Sequence, residues 1–249
     1  MSESFSHFFC ENIASPKWSN NAEFFDKQSM DLWKISITEH LPFLNQLHKV
    51  LSEEEKTRVE RYYQKKDKIR FTIGRGMLRY LLAKYLNESP DSLIFKKGPF
   101  NKPYLEQPHI HFNISYAEDL IIIAVAYEAI GVDIEYINRT LNYRELAEEV
   151  FSPEERSLLE PSATGREDFF KIWTRKEALL KAVSRGLGDD LKNFSCLDGL
   201  QSTHGMPILD GNWKIQSFQL DIRYYVSMAF QKSTIIKFRN SHFIIFLQG

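Results

Sequence analysis

The sequence predicts an α+β fold, and two kinds of signal carry that reading. Runs with strand-like alternation or β-rich composition and runs with three- and four-residue apolar spacing occur together in each half of the chain. Capping signatures, Ser52 with Glu55 and Ser152 with Glu155, stand directly ahead of helical patterns. No repeat is visible at the level of residues, and 249 residues suit one large domain or two small ones.

Taken in order, the stretch to Ser29 is mixed and aromatic, with Phe5, Phe8, Phe9, Trp18, Phe24 and Phe25, and carries no assignable pattern. Met30 to Thr38 reads as a strand through Leu32, Ile35 and Ile37. A helix opens at Ser52 and holds Val59, Tyr62 and Tyr63. A second helical run holds Met77, Leu78, Leu81, Leu82, Tyr85 and Leu86 and ends near Asn87, ahead of Pro90. Gly74 and Gly76 lie between the two runs and mark either a break or a point of close packing. Gly98-Pro99 and Lys102-Pro103 are turn signals, and Ile110 to Ser115 is a short strand. Leu120 to Tyr127 and Ile130 to Tyr136, separated by Glu128-Ala129, predict a hairpin.

Helical segments follow at Tyr143 to Val150 and from Ser152, where Pro153 takes the first helical position. A long amphipathic helix spans about Arg166 to Ser184, punctuated by Gly186 and Gly188. Strands are expected at Trp213 to Phe218, Arg223 to Phe230, Thr234 to Phe238 and His242 to Leu247.

Composition narrows the function classes. Lysine and arginine (32) nearly balance aspartate and glutamate (33), for a net charge of −1, which weighs against a nucleic-acid partner. Cys10 and Cys196 stand far apart in no metal-ligand spacing, so a reducing compartment is expected. The first ten residues lack the pattern of a signal peptide, and the most apolar run, Leu120 to Ala126, is far short of the ~20 residues a membrane helix needs. The expectation is a cytoplasmic protein without membrane contact.

Asp133 and Glu135 are two apart on a predicted strand, so they share a face while Val132 and Ile134 take the other. Two like charges side by side call for a cation, and magnesium suits one or two carboxylates plus water and phosphate. An isolated Asp-x-Glu is more commonly a solvated strand edge. On the long helix, Trp173, Glu177 and Lys181 fall at i, i+4 and i+8 on one stripe beside Phe169, Phe170 and Leu180. An ordinary Glu–Lys surface pair would give the same spacing. A metal-dependent nuclease also groups acids with a lysine, but its lysine normally follows on the same strand, and here Tyr136 and Ile137 follow Glu135.

Gly131-Val132-Asp133-Ile134-Glu135 and Trp173-Thr174-Arg175-Lys176-Glu177-Ala178-Leu179-Leu180-Lys181 resemble the two signatures of the 4′-phosphopantetheinyl transferase superfamily. The likeness extends to Phe112-Asn113-Ile114-Ser115, to the Asn101-Lys102-Pro103 turn, to the basic helix from Arg61 through Asp67 to Arg70, and to Gly186-Leu187. It covers about Glu55 to Ser195 and is nearest the long, two-lobed type that serves carrier proteins of peptide and polyketide synthases.

That resemblance implies a Mg²⁺-dependent transfer of the phosphopantetheine arm from coenzyme A to a serine of an apo acyl or peptidyl carrier protein, with release of 3′,5′-ADP. It assigns metal binding to Asp133, Glu135 and Glu177, catalysis to Glu177 and Lys181, and coenzyme A binding to Arg58, Arg70, Lys102, Pro103, Ser115 and Tyr116. The family commonly has a histidine where this chain has Tyr116, which brings one hydrogen bond and no positive charge. A non-catalytic binder of coenzyme A or carrier is the alternative that this departure leaves open.

The implied architecture is a monomeric pseudo-dimer of two similar α+β lobes, residues 1–127 and 128–249, with the active site in the cleft between them. Leu180 to Phe194, with Lys181, Arg185 and Lys192, resembles the surface that receives an acidic carrier.

Overall fold

Two β-sheets back onto a common apolar layer, and the computed structural model describes residues 6–20, 29–106, 109–160, 162–184, 189–203, 213–231 and 234–241. Strand β1 (Ser6–Asn12) falls in the stretch that has no readable pattern. Strand β2 (Ser29–Ser36) ends two residues before the expected limit. There the Ser36 side chain accepts from the Glu39 N–H and starts a short helix, α1 (Ile37–His40).

Helix α2 (Leu44–Lys49) precedes α3 (Glu53–Arg61), where the Ser52–Glu55 capping box forms as expected. Helix α4 (Lys65–Leu86) then runs unbroken through both glycines. Close packing explains them: a Cβ on Gly74 would lie 2.5 Å from the Tyr116 ring, and one on Gly76 would lie 2.8 Å from Leu47. The break in the basic region falls earlier, at Tyr62–Gln64.

Strands β3 (Phe95–Lys97) and β4 (Pro103–Leu105) pair across the expected turns. After them come β5 (His111–Ala117), β6 (Leu120–Ala126) and β7 (Gly131–Tyr136). The helices α5 (Tyr143–Val150), α6 (Pro153–Leu159) and α7 (Gly165–Ala182) follow, and α6 carries the second capping box. Strands β8 (Gly199–Thr203), β9 (Trp213–Leu220), β10 (Tyr224–Gln231) and β11 (Ile235–Asn240) complete the described fold. The Gly186 and Gly188 stop and the His242 to Leu247 strand lie outside the described residues.

One sheet has the order β11-β2-β6-β5 and the other β7-β10-β9-β1-β8. The expected hairpin of β6 with β7 does not form. β6 pairs with β5 and β2, β7 pairs with β10, and Glu128-Ala129 carries the chain from one sheet to the other. Alternation marks both segments as strands but says nothing about their partners. At the ends of the chain the sheets exchange strands: β1 enters the second sheet parallel to β9, and β11 enters the first parallel to β2.

Helix α4 covers the outer face of the first sheet, where Met77, Leu78 and Leu81 meet Ile121, Ile123 and Val125. Helix α7 covers the outer face of the second sheet. Between the sheets, Met30, Leu32, Ile122 and Ala124 pack against Val132, Ile134, Val226 and Met228. Burying such side chains is worth about 1.5–3 kcal/mol each, and it fixes which face of β7 looks outward toward α7.

Candidate active site

Strand β7 is an edge strand, and its outward face carries Gly131, Asp133 and Glu135 toward α7. Gly131 makes the approach possible: a Cβ there would lie 2.0 Å from the Ala178 carbonyl oxygen and 2.4 Å from the Ala182 nitrogen. Helix α7 therefore comes close enough to bring Glu177 and Lys181, the neighbours of those two alanines, over the strand carboxylates.

The free edge of β7 is satisfied by side chains of β5. Asn113 Oδ1 accepts from the Val132 N–H at 2.8 Å, and Ser115 Oγ accepts from the Ile134 N–H at 3.3 Å. Ser115 in turn donates to Asp133 Oδ1 at 2.8 Å. The Lys181 ammonium reaches the same Asp133 oxygen at 2.6 Å and Ser115 Oγ at 3.2 Å. Trp173, one turn before Glu177, donates its indole N–H to Glu135 Oε1 at 3.3 Å.

These contacts leave the acids under-satisfied. Asp133 Oδ2 and Glu177 Oε1 are buried and have no hydrogen-bond partner among the described residues. Burial and the Asp133 charge push the carboxyls of Glu135 and Glu177 up to about 7, and the Glu177 charge adds to the effect on Glu135. Orphaned carboxylate oxygens of this kind are hard donors facing a charge deficit, and a divalent cation removes that deficit. The residues fit Mg²⁺ on that ground, although among the described residues no three acidic, histidine or cysteine side chains form a closed metal cage. A cage is not what Mg²⁺ requires, because it keeps waters and substrate phosphate among its ligands. Lys181, seated on Asp133, neutralises part of the same charge.

Two cavities lie in this part of the molecule, and the smaller adjoins the cluster. One, of about 270 Å³, is lined by Glu177, Lys181, Asn113, Lys102 and Pro103. Within it the Lys102 ammonium donates to the backbone carbonyls of Ile130 and Lys181, tying the β3–β4 hairpin to the end of α7. Burial and the Lys181 charge pull Lys102 down to about 8. The other cavity, of about 420 Å³, lies beyond Pro103 and contains Arg58, whose guanidinium sits 4.8 Å over the Phe71 ring.

Arg70 pairs with Asp67 at 3.0 Å and lies 5.9 Å over the ring of Tyr116. Burial drives the Tyr116 phenol up to about 12, so it stays protonated. Of the ten residues singled out from the sequence, Asp133, Glu135, Glu177, Lys181 and Ser115 converge, Lys102 and Pro103 border them, Arg58 lines the larger cavity, and Arg70 and Tyr116 lie against each other and on neither cavity wall.

Both halves of the chain match models of one family. Residues 129–229 match the 4′-phosphopantetheinyl transferase superfamily, and residues 33–128 match the model described as 4′-phosphopantetheinyl transferase, N-terminal. The 4′-phosphopantetheinyl transferase HetI of Nostoc sp. is 36% identical over 163 residues, covering 63% of this chain and 69% of HetI. The chain belongs to the 4′-phosphopantetheinyl transferase superfamily. A second relative, the 4′-phosphopantetheinyl transferase Sfp of Bacillus subtilis, is 30% identical over 185 residues, covering 72% of this chain and 81% of Sfp. The two family models meet at residues 128 and 129, where the chain crosses from one sheet to the other.

Two residues of the second signature of this transferase family, both on α7, lie away from the site. Arg175 and Lys176 are buried on the far side of α7. Arg175 donates to Ser217 and to the Cys196 carbonyl, and Lys176 pairs with Glu155 at 2.9 Å while donating to the carbonyls of Leu191 and Phe194. Leu180, Leu191 and Phe194, expected on a carrier-receiving surface, are core residues, Lys192 is exposed, and Arg185 lies outside the described residues. Among the described residues no helix is long and apolar enough to cross a membrane.

Proposed function

We propose that this member of the family moves the 4′-phosphopantetheine group of coenzyme A to a serine of an apo acyl or peptidyl carrier protein and releases 3′,5′-ADP. The observation that carries the reading is the convergence of Asp133, Glu135, Glu177 and Lys181 with two buried carboxylate oxygens left unpartnered. Asp133, Glu135 and Glu177 would hold Mg²⁺, which when bound supplies neutralisation of the pyrophosphate and leaving-group oxygens.

The remaining roles belong to the chain itself. Glu177 takes the proton from the carrier serine Oγ as it attacks. Lys181 turns its charge from Asp133 to the phosphate oxygens that gain charge in the transition state. Ser115 holds Asp133 in place, and Trp173 orients Glu135. The apolar walls of the smaller cavity keep water from competing with the serine. Arg58, Arg70, Lys102, Pro103, Ser115 and Tyr116 are the proposed contacts of coenzyme A. Arg70 and Lys102 reach it only by leaving their internal partners. The two halves, 1–127 and 128–249, would act as the lobes of a pseudo-dimer that exchange β1 and β11, with coenzyme A between them. The protein works as a cytoplasmic monomer without nucleic acid.

The test is a product assay. Incubated with coenzyme A, Mg²⁺ and an apo carrier, the protein should release 3′,5′-ADP in step with carrier consumed. None should appear when the carrier serine is replaced by alanine. Release of 3′,5′-ADP independent of that serine would defeat the reading.

A further inference from the structure

We propose that Thr174, Ser217 and Ser227 are positioning residues for the transfer: with Arg175 they fix the seat of α7 on its sheet and so hold Glu177 and Lys181 against Asp133. The inference rests on the transfer reading above. It starts from four buried polar side chains that take no part in the site itself.

Thr174, Arg175, Ser217 and Ser227 are all 0% exposed. They form one unbroken line of hydrogen bonds. Arg175 Nε donates to Ser217 Oγ at 2.8 Å, and the Ser217 and Ser227 hydroxyls are 2.9 Å apart. The Ser227 and Thr174 hydroxyls are 2.7 Å apart, and Thr174 donates to the Lys171 carbonyl at 3.0 Å. A guanidinium only donates and a carbonyl only accepts, so the two ends fix every proton between them. Ser217 must donate to Ser227, and Ser227 must donate to Thr174. Arg175 is anchored in turn by the Cys196 carbonyl at 2.7 Å and by Asp198 at 2.6 Å.

The line begins and ends on α7 and passes through β9 and β10. Ser227 stands directly opposite Asp133 where β10 pairs with β7, and directly opposite Ser217 where β10 pairs with β9. The helix is therefore tied to the row of the sheet that carries Asp133. Thr174 and Arg175 lie within one turn of Glu177, so a slide or rotation of this segment passes straight to Glu177 and Lys181.

The rest of the interface does not fix the helix in this way. Phe170, Ala178, Ile215 and Ala229 belong to one apolar cluster, and apolar contact is non-directional, so it tolerates small slides and rotations. Hydrogen bonds weaken steeply with distance and angle, and a buried network satisfied throughout specifies one arrangement. Gly131 lets α7 approach the strand, and the hydroxyl line settles where along the strand it stops.

Steady-state carrier loading by wild type, Thr174→Val, Thr174→Ser and Ser227→Ala tests the proposal, with Gly76→Ala as the control for lost stability. Valine keeps the shape of threonine and removes the hydroxyl. Thr174→Val should lower kcat roughly 10- to 100-fold and leave KM for coenzyme A within about twofold, because the basic side chains of α3 and α4 are untouched. Thr174→Ser keeps the hydroxyl and should stay within about threefold of wild type. The double variant Thr174→Val/Ser227→Ala should be no slower than the slower single one, since both break the same line. The Tm gain on adding Mg²⁺ should also shrink in Thr174→Val, a readout independent of turnover. A kcat for Thr174→Val within twofold of wild type, a fall as large in Thr174→Ser, a matching rise in KM or an undiminished Mg²⁺ gain would leave the line a purely structural role and overturn the proposal. An equal fall of kcat in Gly76→Ala would trace the loss to stability and overturn it too. If Thr174→Val does not fold, Ser227→Ala decides by the same criteria, and failure of both to fold counts against the proposal. Absence of loading by wild type would remove the transfer reading itself, a result distinct from a slow variant.

Discussion

Replacing Gly131 with alanine should separate the strand acids from the helix that completes the site. The added Cβ would lie 2.0 Å from the Ala178 carbonyl oxygen, 2.4 Å from the Ala182 nitrogen and 3.0 Å from the Ala182 Cα. All three are backbone atoms, so no flexible side-chain end can give way. Ordinary contacts begin near 3.5 Å, so α7 must retreat by about 1.0–1.5 Å. Overpacking of this kind costs about 1–3 kcal/mol, and rigid backbone on both sides puts this case at the upper end. At about 2–4 °C per kcal/mol for a chain of this size, Tm should fall by roughly 6–12 °C.

The retreat also carries Glu177 and Lys181 away from Asp133, and a misplacement of about 1 Å can lower a rate about 100-fold. Gly76→Ala is the control. Its Cβ would press on Leu47 at 2.8 Å, remote from the acids, so it should cost stability without lowering kcat of the folded protein. Thermal denaturation and carrier-loading kinetics on both variants provide the readout. A Gly131→Ala protein with wild-type Tm and a loading rate within twofold of wild type would refute the claim that this close approach assembles the site.

Two further outcomes follow from the buried charges. In the metal-free protein Glu135 and Glu177 titrate near 7, above their value of 4.5 when unperturbed, so the folded state binds more protons than the unfolded state between those limits. Stability of the metal-free protein should therefore decline as pH rises from about 5 to about 8, and the Tm gain on adding Mg²⁺ should grow over the same range; a gain independent of pH would count against these carboxylates as ligands. Lys176→Met should strip the counter-charge from buried Glu155, costing about 3–5 kcal/mol by thermal denaturation, with KM for coenzyme A unchanged in the protein that folds. A selective rise in KM would instead put Lys176 at the site.

Local patterning made much of this molecule readable in advance. The caps at Ser52 and Ser152, the outward placement of Asp133 and Glu135, and the stripe of Trp173, Glu177 and Lys181 each depend on residues within a few positions of one another. Long-range pairing was not readable. Nothing near Leu120 or Ile130 says that β6 and β7 belong to different sheets, and β1 has parallel and antiparallel partners some 190 to 205 residues away. The site shows the same division. Asn113 and Ser115 were visible within a family-like segment, but their bonds to the edge of β7 exist only once the two sheets are stacked. Gly74 and Gly76 were ambiguous for a related reason: a glycine tolerated for contact and one that breaks a helix look alike until the neighbour is known.

The most direct measurement weighs an apo carrier by mass spectrometry after incubation with coenzyme A and either wild type or Glu177→Gln, each with Mg²⁺ and with EDTA. The account predicts a mass gain of one phosphopantetheine only for wild type with Mg²⁺, while Glu177→Gln still binds coenzyme A by calorimetry. Near-wild-type loading by Glu177→Gln, or full loading in EDTA, would contradict it.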